Sequence, residues 1–248
     1  MKISILTLFP EMFDSPLKYS LIGKAIEREI IQVDVINLRH YALDKHKQAD
    51  DYPYGGGAGM VIKADVALRA LRELRRIDPE ARTILMSPAG KPLNQELARD
   101  FARGKKLVVL CGHYEGIDER VLTEIDDQVS IGDYILTGGE TAALVLIEVI
   151  VRLVPGVLGS EKSIDDESFN DGLLEYPQYT RPRQVGELEV PAVLLSGNHE
   201  EIRRWRKKES IRKTLLMRPD LLLKKRLDRE ERRYLMEILF PEDEGEQP

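Results

Sequence analysis

Two apolar runs, Leu107–Leu110 and Gln128–Ile131, have the composition of buried strands, and each breaks straight into glycines. The first continues as Cys111-Gly-His-Tyr-Glu-Gly-Ile-Asp-Glu-Arg120, the second as Gly132-Asp-Tyr-Ile-Leu-Thr-Gly-Gly-Glu140. A helix-like segment resumes after both. Glycine has no Cβ, so a loop of this kind at a strand end lets main-chain N–H and C=O groups approach a ligand closely. Two such loops in succession suit a nucleoside-type cofactor held by main chain.

The rest of the first half alternates. Ile3–Leu8, Gln32–Asn37 and Thr83–Met86 read as strands, and Leu17–Glu29, Ala64–Arg75 and Asn94–Arg103 as helices. A helix near Asp118–Glu124 and a long apolar one at Glu140–Val151 follow. Strands alternating with helices predict an α/β domain with a largely parallel sheet. The pattern stops at Pro155-Gly156, and the polar, acidic stretch 159–172 reads as a linker or loop. Residues 176–191 are proline-rich and extended. Asn198 with Glu201, and Asp228 with Glu231, are capping-box patterns that start helices, with Pro219 interrupting between them. The expected organisation is a domain over 1–159, a linker or lid over 160–175, and a small, mainly helical domain over 176–248.

Composition narrows the class. The longest apolar stretch, Ala142–Val154, carries Glu148 and Arg152, so no membrane span is expected. Met1-Lys-Ile-Ser-Ile-Leu6 is cut short by Pro10 and Glu11 and reads as a first strand, not a signal peptide. The only cysteine is Cys111, which excludes an internal disulfide and a thiolate metal cluster and suits a reducing cytoplasm. The net charge is −6, yet Asn198–Leu235 holds 14 Lys and Arg against 7 Asp and Glu. Two readings stay open for that segment: a solvated surface laced with ion pairs, or a polyanion-binding face.

Several segments carry candidate chemistry. Tyr52-Pro-Tyr-Gly-Gly-Gly-Ala-Gly-Met60 is neither a P-loop nor a dinucleotide turn, since no strand is expected immediately before it. It is either a flexible turn or a loop where a planar group meets main chain beside Tyr52 and Tyr54. Ser87 and Pro88 follow a strand, as the two glycine loops do. His113 has no second histidine at metal-ligand spacing, so no metal site is expected. Glu115, Asp118, Glu119 and Arg120 read as helix-start carboxylates with an ion pair. The acidic run Asp165-Asp-Glu167 is either solubilising or part of a lid that brings a base into place.

Taken together, these segments resemble the bacterial tRNA (guanine-N1)-methyltransferases, the TrmD family of the SPOUT class. The matching motifs are Leu8-Phe-Pro-Glu-Met-Phe13, Tyr54-Gly-Gly-Gly-Ala-Gly-Met60, Cys111–Arg120, Ser130-Ile-Gly-Asp-Tyr134 and Gly138-Gly-Glu140. They continue with Pro155-Gly-Val-Leu-Gly159, Gly172-Leu-Leu174, Tyr179-Thr-Arg-Pro182, Leu195-Ser-Gly-Asn-His199 and Ile202-Arg-Arg-Trp-Arg206. They run in family order along nearly the whole chain. The resemblance implies a SPOUT-type parallel sheet with a deep trefoil knot, followed by the small helical domain. That knot is an exception to the rule of unknotted chains.

It further implies a homodimer with an active site shared between subunits, and tRNA rather than DNA or a membrane as partner. The reaction implied is methyl transfer from S-adenosyl-L-methionine to N1 of the guanosine immediately 3′ of the anticodon when a guanosine precedes it, which protects the reading frame. The cofactor would meet Ser87, Pro88, Gly112 and Glu115 on the first two loops. On the third it would meet Ile131, Gly132, Asp133, Tyr134, Ile135, Leu136, Gly138 and Gly139. The arginine helper maps to Arg152, and the base to Glu167 or the adjacent Asp166, where relatives have Asp. For tRNA the resemblance points to Tyr54, Gly55, Gly56, Ser163 and Arg183, and to His199, Arg203, Arg204, Trp205, Arg206 and Lys207 on the basic segment. Magnesium is implied as an aid to activity, without a motif of its own. A silent RNA-binding relative and a SPOUT enzyme acting on ribosomal RNA are the rival readings; the order of motifs argues against the second.

Overall fold

The computed structural model describes residues 1–159 and 167–240. The chain divides into two compact units, Met1–Gly159 and Ser160–Pro248.

In the first unit, strand β1 (Lys2–Thr7) leads through helix α1 (Ser20–Glu27) to β2 (Gln32–Asn37). A two-residue pair, β3 (Asp50–Asp51) and β4 (Val61–Ile62), precedes helix α2 (Ala64–Ile77). Then come β5 (Arg82–Pro92), α3 (Gln95–Arg103), β6 (Lys106–Cys111), β7 (Asp127–Ser130) and α4 (Glu140–Val151). The main sheet has the order β2-β1-β6-β5-β7, every pair parallel.

Helices cover both faces, which is why the central strand β6 reads as a continuous apolar run. Along β6, Leu107, Val109 and Cys111 pack with Ile3, Ile5, Phe101 and the inner side of α4. Val108 and Leu110 turn to the other face, against Leu71 and its neighbours on α2.

Three local expectations are corrected. The helix expected over Leu17–Glu29 is interrupted: Pro16–Lys18 forms a 3₁₀ turn, Tyr19 is extended, and the α-helix begins at Ser20. Asp118–Glu124 is likewise a 3₁₀ turn over Glu119–Glu124, with the Asp118 carboxylate accepting from the Arg120 N–H. A strand, β3, does immediately precede Tyr52; it pairs antiparallel with β4, so the glycine-rich run is the tip of a short hairpin.

The strand expected to end at Met86 also runs on. Met86 and Lys91 both align with Val129, and residues 87–90 are looped out between them. A Cβ on Gly90 would lie 2.3 Å from the Val129 nitrogen, so only glycine lets the chain return onto β7 there.

The second unit holds a hairpin, β8 (Gln184–Val185) with β9 (Leu188–Glu189), and helices α5 (His199–Met217), α6 (Pro219–Lys224) and α7 (Arg229–Leu239). Leu173 is buried with Ile211 and Tyr234, so the compact packing reaches into the stretch expected as linker. Pro219 opens α6 at a position where its missing N–H costs nothing. The capping box of Asp228 and Glu231 is complete. That of Asn198 is half made: its side chain accepts from the Glu200 and Glu201 amides. Its own N–H is taken by the Ser196 hydroxyl instead of by Glu201.

Candidate active site

The two glycine loops meet. Gly139 donates its N–H to the Gly112 carbonyl at 2.6 Å, and His113 and Gly138 form an isolated antiparallel bridge. A Cβ on Gly139 would sit 2.9 Å from the Gly112 nitrogen and 3.0 Å from the Cys111 Cα, so glycine is required for this approach. Met86 pairs with Cys111 on one side and Val129 on the other, so the looped-out segment with Ser87 and Pro88 starts between the two glycine loops. The hairpin tip over 52–60 joins the same cluster: Glu115 donates its N–H to the Met60 carbonyl at 3.1 Å, and Ile62 to that of Gly116 at 3.0 Å. Four loops expected to bind thus lie at one end of the sheet.

Beneath them is a buried carboxylate. Glu140, 1% exposed, accepts from the Thr7 hydroxyl at 2.8 Å, and its other oxygen is 3.4 Å from His113 Nδ1. It occupies the first turn of α4, where the positive end of the helix dipole favours a negative group. The sequence marks Glu140 as a helix start and as the end of the Gly138-Gly-Glu140 motif, with no side-chain role, and marks Thr7 not at all; an acid directly after the glycine pair is the available signal. Burial, then the charge of Glu140, pushes the Cys111 thiol well up, so Cys111 is a neutral core residue. Asp118 holds Arg120 through two bonds of 2.9 and 2.7 Å, and this guanidinium keeps the carboxyl below its usual range.

In the third loop the Tyr134 hydroxyl donates to the Ile131 carbonyl at 3.1 Å, while Ile135 and Leu136 remain exposed. Asp133 is exposed and Gly132 half-buried. Tyr54 is fully exposed at the hairpin tip beside Gly55 and Gly56.

Arg152 caps the C-terminal end of α4 and is half-buried. Asp166 and Ser163 lie outside the described residues. In the second unit, Glu167 lines a cavity of about 560 Å³ together with His199, Arg203, Arg206 and Lys207. Much of the basic surface is ion-paired within the unit. Arg203 meets Glu230 at 3.3 Å, Arg204 meets Glu200, Lys208 meets Glu237 at 2.8 Å, and Lys207 meets Glu231 at 2.6 Å and Asp171 at 2.8 Å. Burial raises the Asp171 pKa, but the bonds from Lys207 and Lys225 outweigh it and hold the carboxyl low. Burial likewise opposes the charge on Lys207, and its two carboxylates outweigh that and raise its pKa. Arg206 differs: its guanidinium stacks on Tyr176 at 4.7 Å, and its buried Nε has no hydrogen-bond partner among the described residues.

A parallel sheet whose strand ends present main chain through glycine loops has the form of a nucleoside-cofactor enzyme. The profile of the family described as tRNA (Guanine-1)-methyltransferase TrmD matches residues 1–224. A tRNA (guanine-N(1)-)-methyltransferase of Syntrophomonas wolfei is 60% identical over 240 residues, spanning 97% of this chain and 98% of the relative. Proteins of the same name from Carboxydothermus hydrogenoformans and Staphylococcus haemolyticus are 54% and 50% identical, spanning 97% and 95% of this chain and 94% and 96% of their own. The chain belongs to the tRNA (guanine-N1)-methyltransferase family.

Proposed function

We propose that this enzyme transfers a methyl group from S-adenosylmethionine to N1 of the guanosine immediately 3′ of the anticodon in tRNA, when a guanosine precedes it. The observation that carries the cofactor site is the joining of the two glycine loops at Gly139 and Gly112. Gly112 itself has room: a Cβ there would meet nothing nearer than 3.7 Å, so its glycine is not demanded by the protein's own packing. A ligand lying against that main chain accounts for it. Ser87, Pro88, Gly112 and Glu115, with the loop 131–139, would hold the cofactor. When bound, it supplies an electrophilic methyl group.

The chain's own residues then act on the purine. Guanine N1 carries a proton at neutral pH, so its lone pair is released only when a base removes that proton; Glu167 or Asp166 serves as that base. Negative charge spreads onto O6 as the proton leaves, and the Arg152 guanidinium offsets it. The linker closes as a lid over the reactants, and the basic second unit positions the RNA through its phosphates. The same reading makes the enzyme a knotted homodimer with a shared active site, aided by magnesium. Among the described residues no group of three or more His, Cys, Asp or Glu converges to hold a metal.

The deciding experiment incubates the protein with labelled S-adenosylmethionine and tRNA transcripts that differ only at the candidate guanosine. Label in the transcript with the guanosine pair and none in its partner is expected. No label in either sinks the proposal.

A further inference from the structure

A second cavity of the C-terminal unit, about 570 Å³, is lined by the aromatic rings of Tyr176, Tyr179 and Trp205 and by Arg181, Arg183 and Arg206. Every other lining side chain is uncharged. An acid-free cavity is unexpected here, since the chain carries 43 acids against 37 Lys and Arg and most basic residues around it hold a carboxylate. The neighbouring cavity, by contrast, is lined by Glu167, Asp171, Asp228 and Glu230.

The aromatic groups are arranged as a corner. Tyr179 and Trp205 have ring centroids 6.2 Å apart at 55°, and Tyr179 is 47% exposed. Arg206 is stacked on Tyr176 with no partner for its Nε among the described residues, while Arg181 and Arg183 are exposed at the rim. Flat faces for a base, guanidinium groups for a phosphate, and no carboxylate to repel it make up what a splayed nucleotide needs. The volume lies in the range, roughly 300–1,000 Å³, of small-ligand sites.

We infer that this cavity takes one unstacked nucleotide of the RNA substrate, its base against Tyr179 and Trp205 and its phosphate at Arg181 and Arg183. The inference rests on the proposed tRNA reaction and adds a second base-holding position, separate from the target guanosine. Arg206, stacked on Tyr176, keeps the wall of the cavity cationic.

Trp205 is the only tryptophan of the chain, so its emission reports the site directly. The full-length protein is titrated with an anticodon stem-loop hairpin, and with hairpins in which each loop nucleotide in turn is made abasic. Binding is expected to quench Trp205 emission, and one abasic position should remove the quench and weaken binding about tenfold. Tyr179→Leu should lose the same tenfold and lose nothing further at that position. Arg181→Gln and Arg183→Gln combined should lower the salt dependence of binding by about 0.7 in the log–log slope, the share of one phosphate.

Unchanged emission at saturation, or an abasic penalty that adds to Tyr179→Leu at every position, overturns the inference, as does a hairpin that does not bind. Because the abasic series is read on the unaltered protein, a misfolded variant does not obscure the result. Methylation of the same hairpin is assayed in parallel. Methylation without quenching overturns this site alone, whereas quenching without methylation overturns the proposed reaction alone.

Discussion

The Thr7 hydroxyl donates to Glu140 Oε1 at 2.8 Å, tying the end of the first strand to the start of the helix that follows the glycine pair. The same carboxylate reaches His113, so one buried acid joins the first strand, the first glycine loop and the helix after the second. Thr7→Val strips a buried acceptor of its donor and should cost about 1–3 kcal/mol of stability in denaturant unfolding. Glu140→Ala should cost at least as much and loosen the loops, so calorimetry should show weaker cofactor binding. Unchanged affinity in Glu140→Ala would detach this carboxylate from the site.

Gly112→Ala separates packing from binding. The site has room for the methyl group and Gly112 lies outside the left-handed region, so stability should stay within about 1 kcal/mol of the parent. Affinity for S-adenosylmethionine should fall roughly tenfold or more, because an added methyl group intrudes where the cofactor meets main chain. Gly139→Ala should instead lose stability, since its Cβ would press on the Gly112 and Cys111 backbone. Equal cofactor affinity in parent and Gly112→Ala would move the cofactor elsewhere.

For the chemistry, Arg152→Ala should lower single-turnover rate by about 10²–10³ while leaving cofactor affinity nearly unchanged. Glu167→Gln and Asp166→Asn, tested separately, should show one loss of about 10²–10⁴ and one small effect. An equal fall in rate and cofactor affinity for Arg152→Ala counts against its role at O6.

Stability of the second unit should depend on pH at both extremes. The folded Asp171 carboxyl lies below its unfolded value, so its stabilisation is present above an unfolded pKa of about 3.9 and is lost as pH falls through the lower folded value. Lys207 is raised, so its stabilisation is present below about 10.4 and disappears as pH rises past the folded value. Thermal unfolding of Asp171→Asn should show a flatter acid limb than the parent. Glu231→Ala removes a buried acid facing Lys207 and Lys225 and breaks the capping box, which should cost roughly 2–4 kcal/mol.

Much of the fold is legible in the residues. Strand β6 and helix α4 fall where apolar density places them, because an inner strand covered on both faces is apolar nearly throughout. The edge strands β2 and β7 carry polar residues and are legible from their β-branched residues and from chain order. The misreadings have local causes. The helix expected from Leu17 follows an apolar period that says nothing of Tyr19 being extended. The strand before Tyr52 is too short, at two residues, to leave a pattern. Chain order hides the return of β5 onto β7, since pairing with a strand that comes later leaves no periodicity in the first.

The sequence by itself determined the alternation, the glycine loops, the sites of two helix caps and the family, all of which depend on residues near one another along the chain. Tertiary structure alone decided that Gly112 and Gly139 would share a hydrogen bond, and that Thr7 would meet Glu140 across 133 positions. It also decided which cations are neutralised by carboxylates and which, like Arg206, stack on a ring with no partner at Nε among the described residues. Hydrogen bonds and ion pairs act over a few ångströms of space. The order of residues does not fix those distances until the sheet and helices have packed.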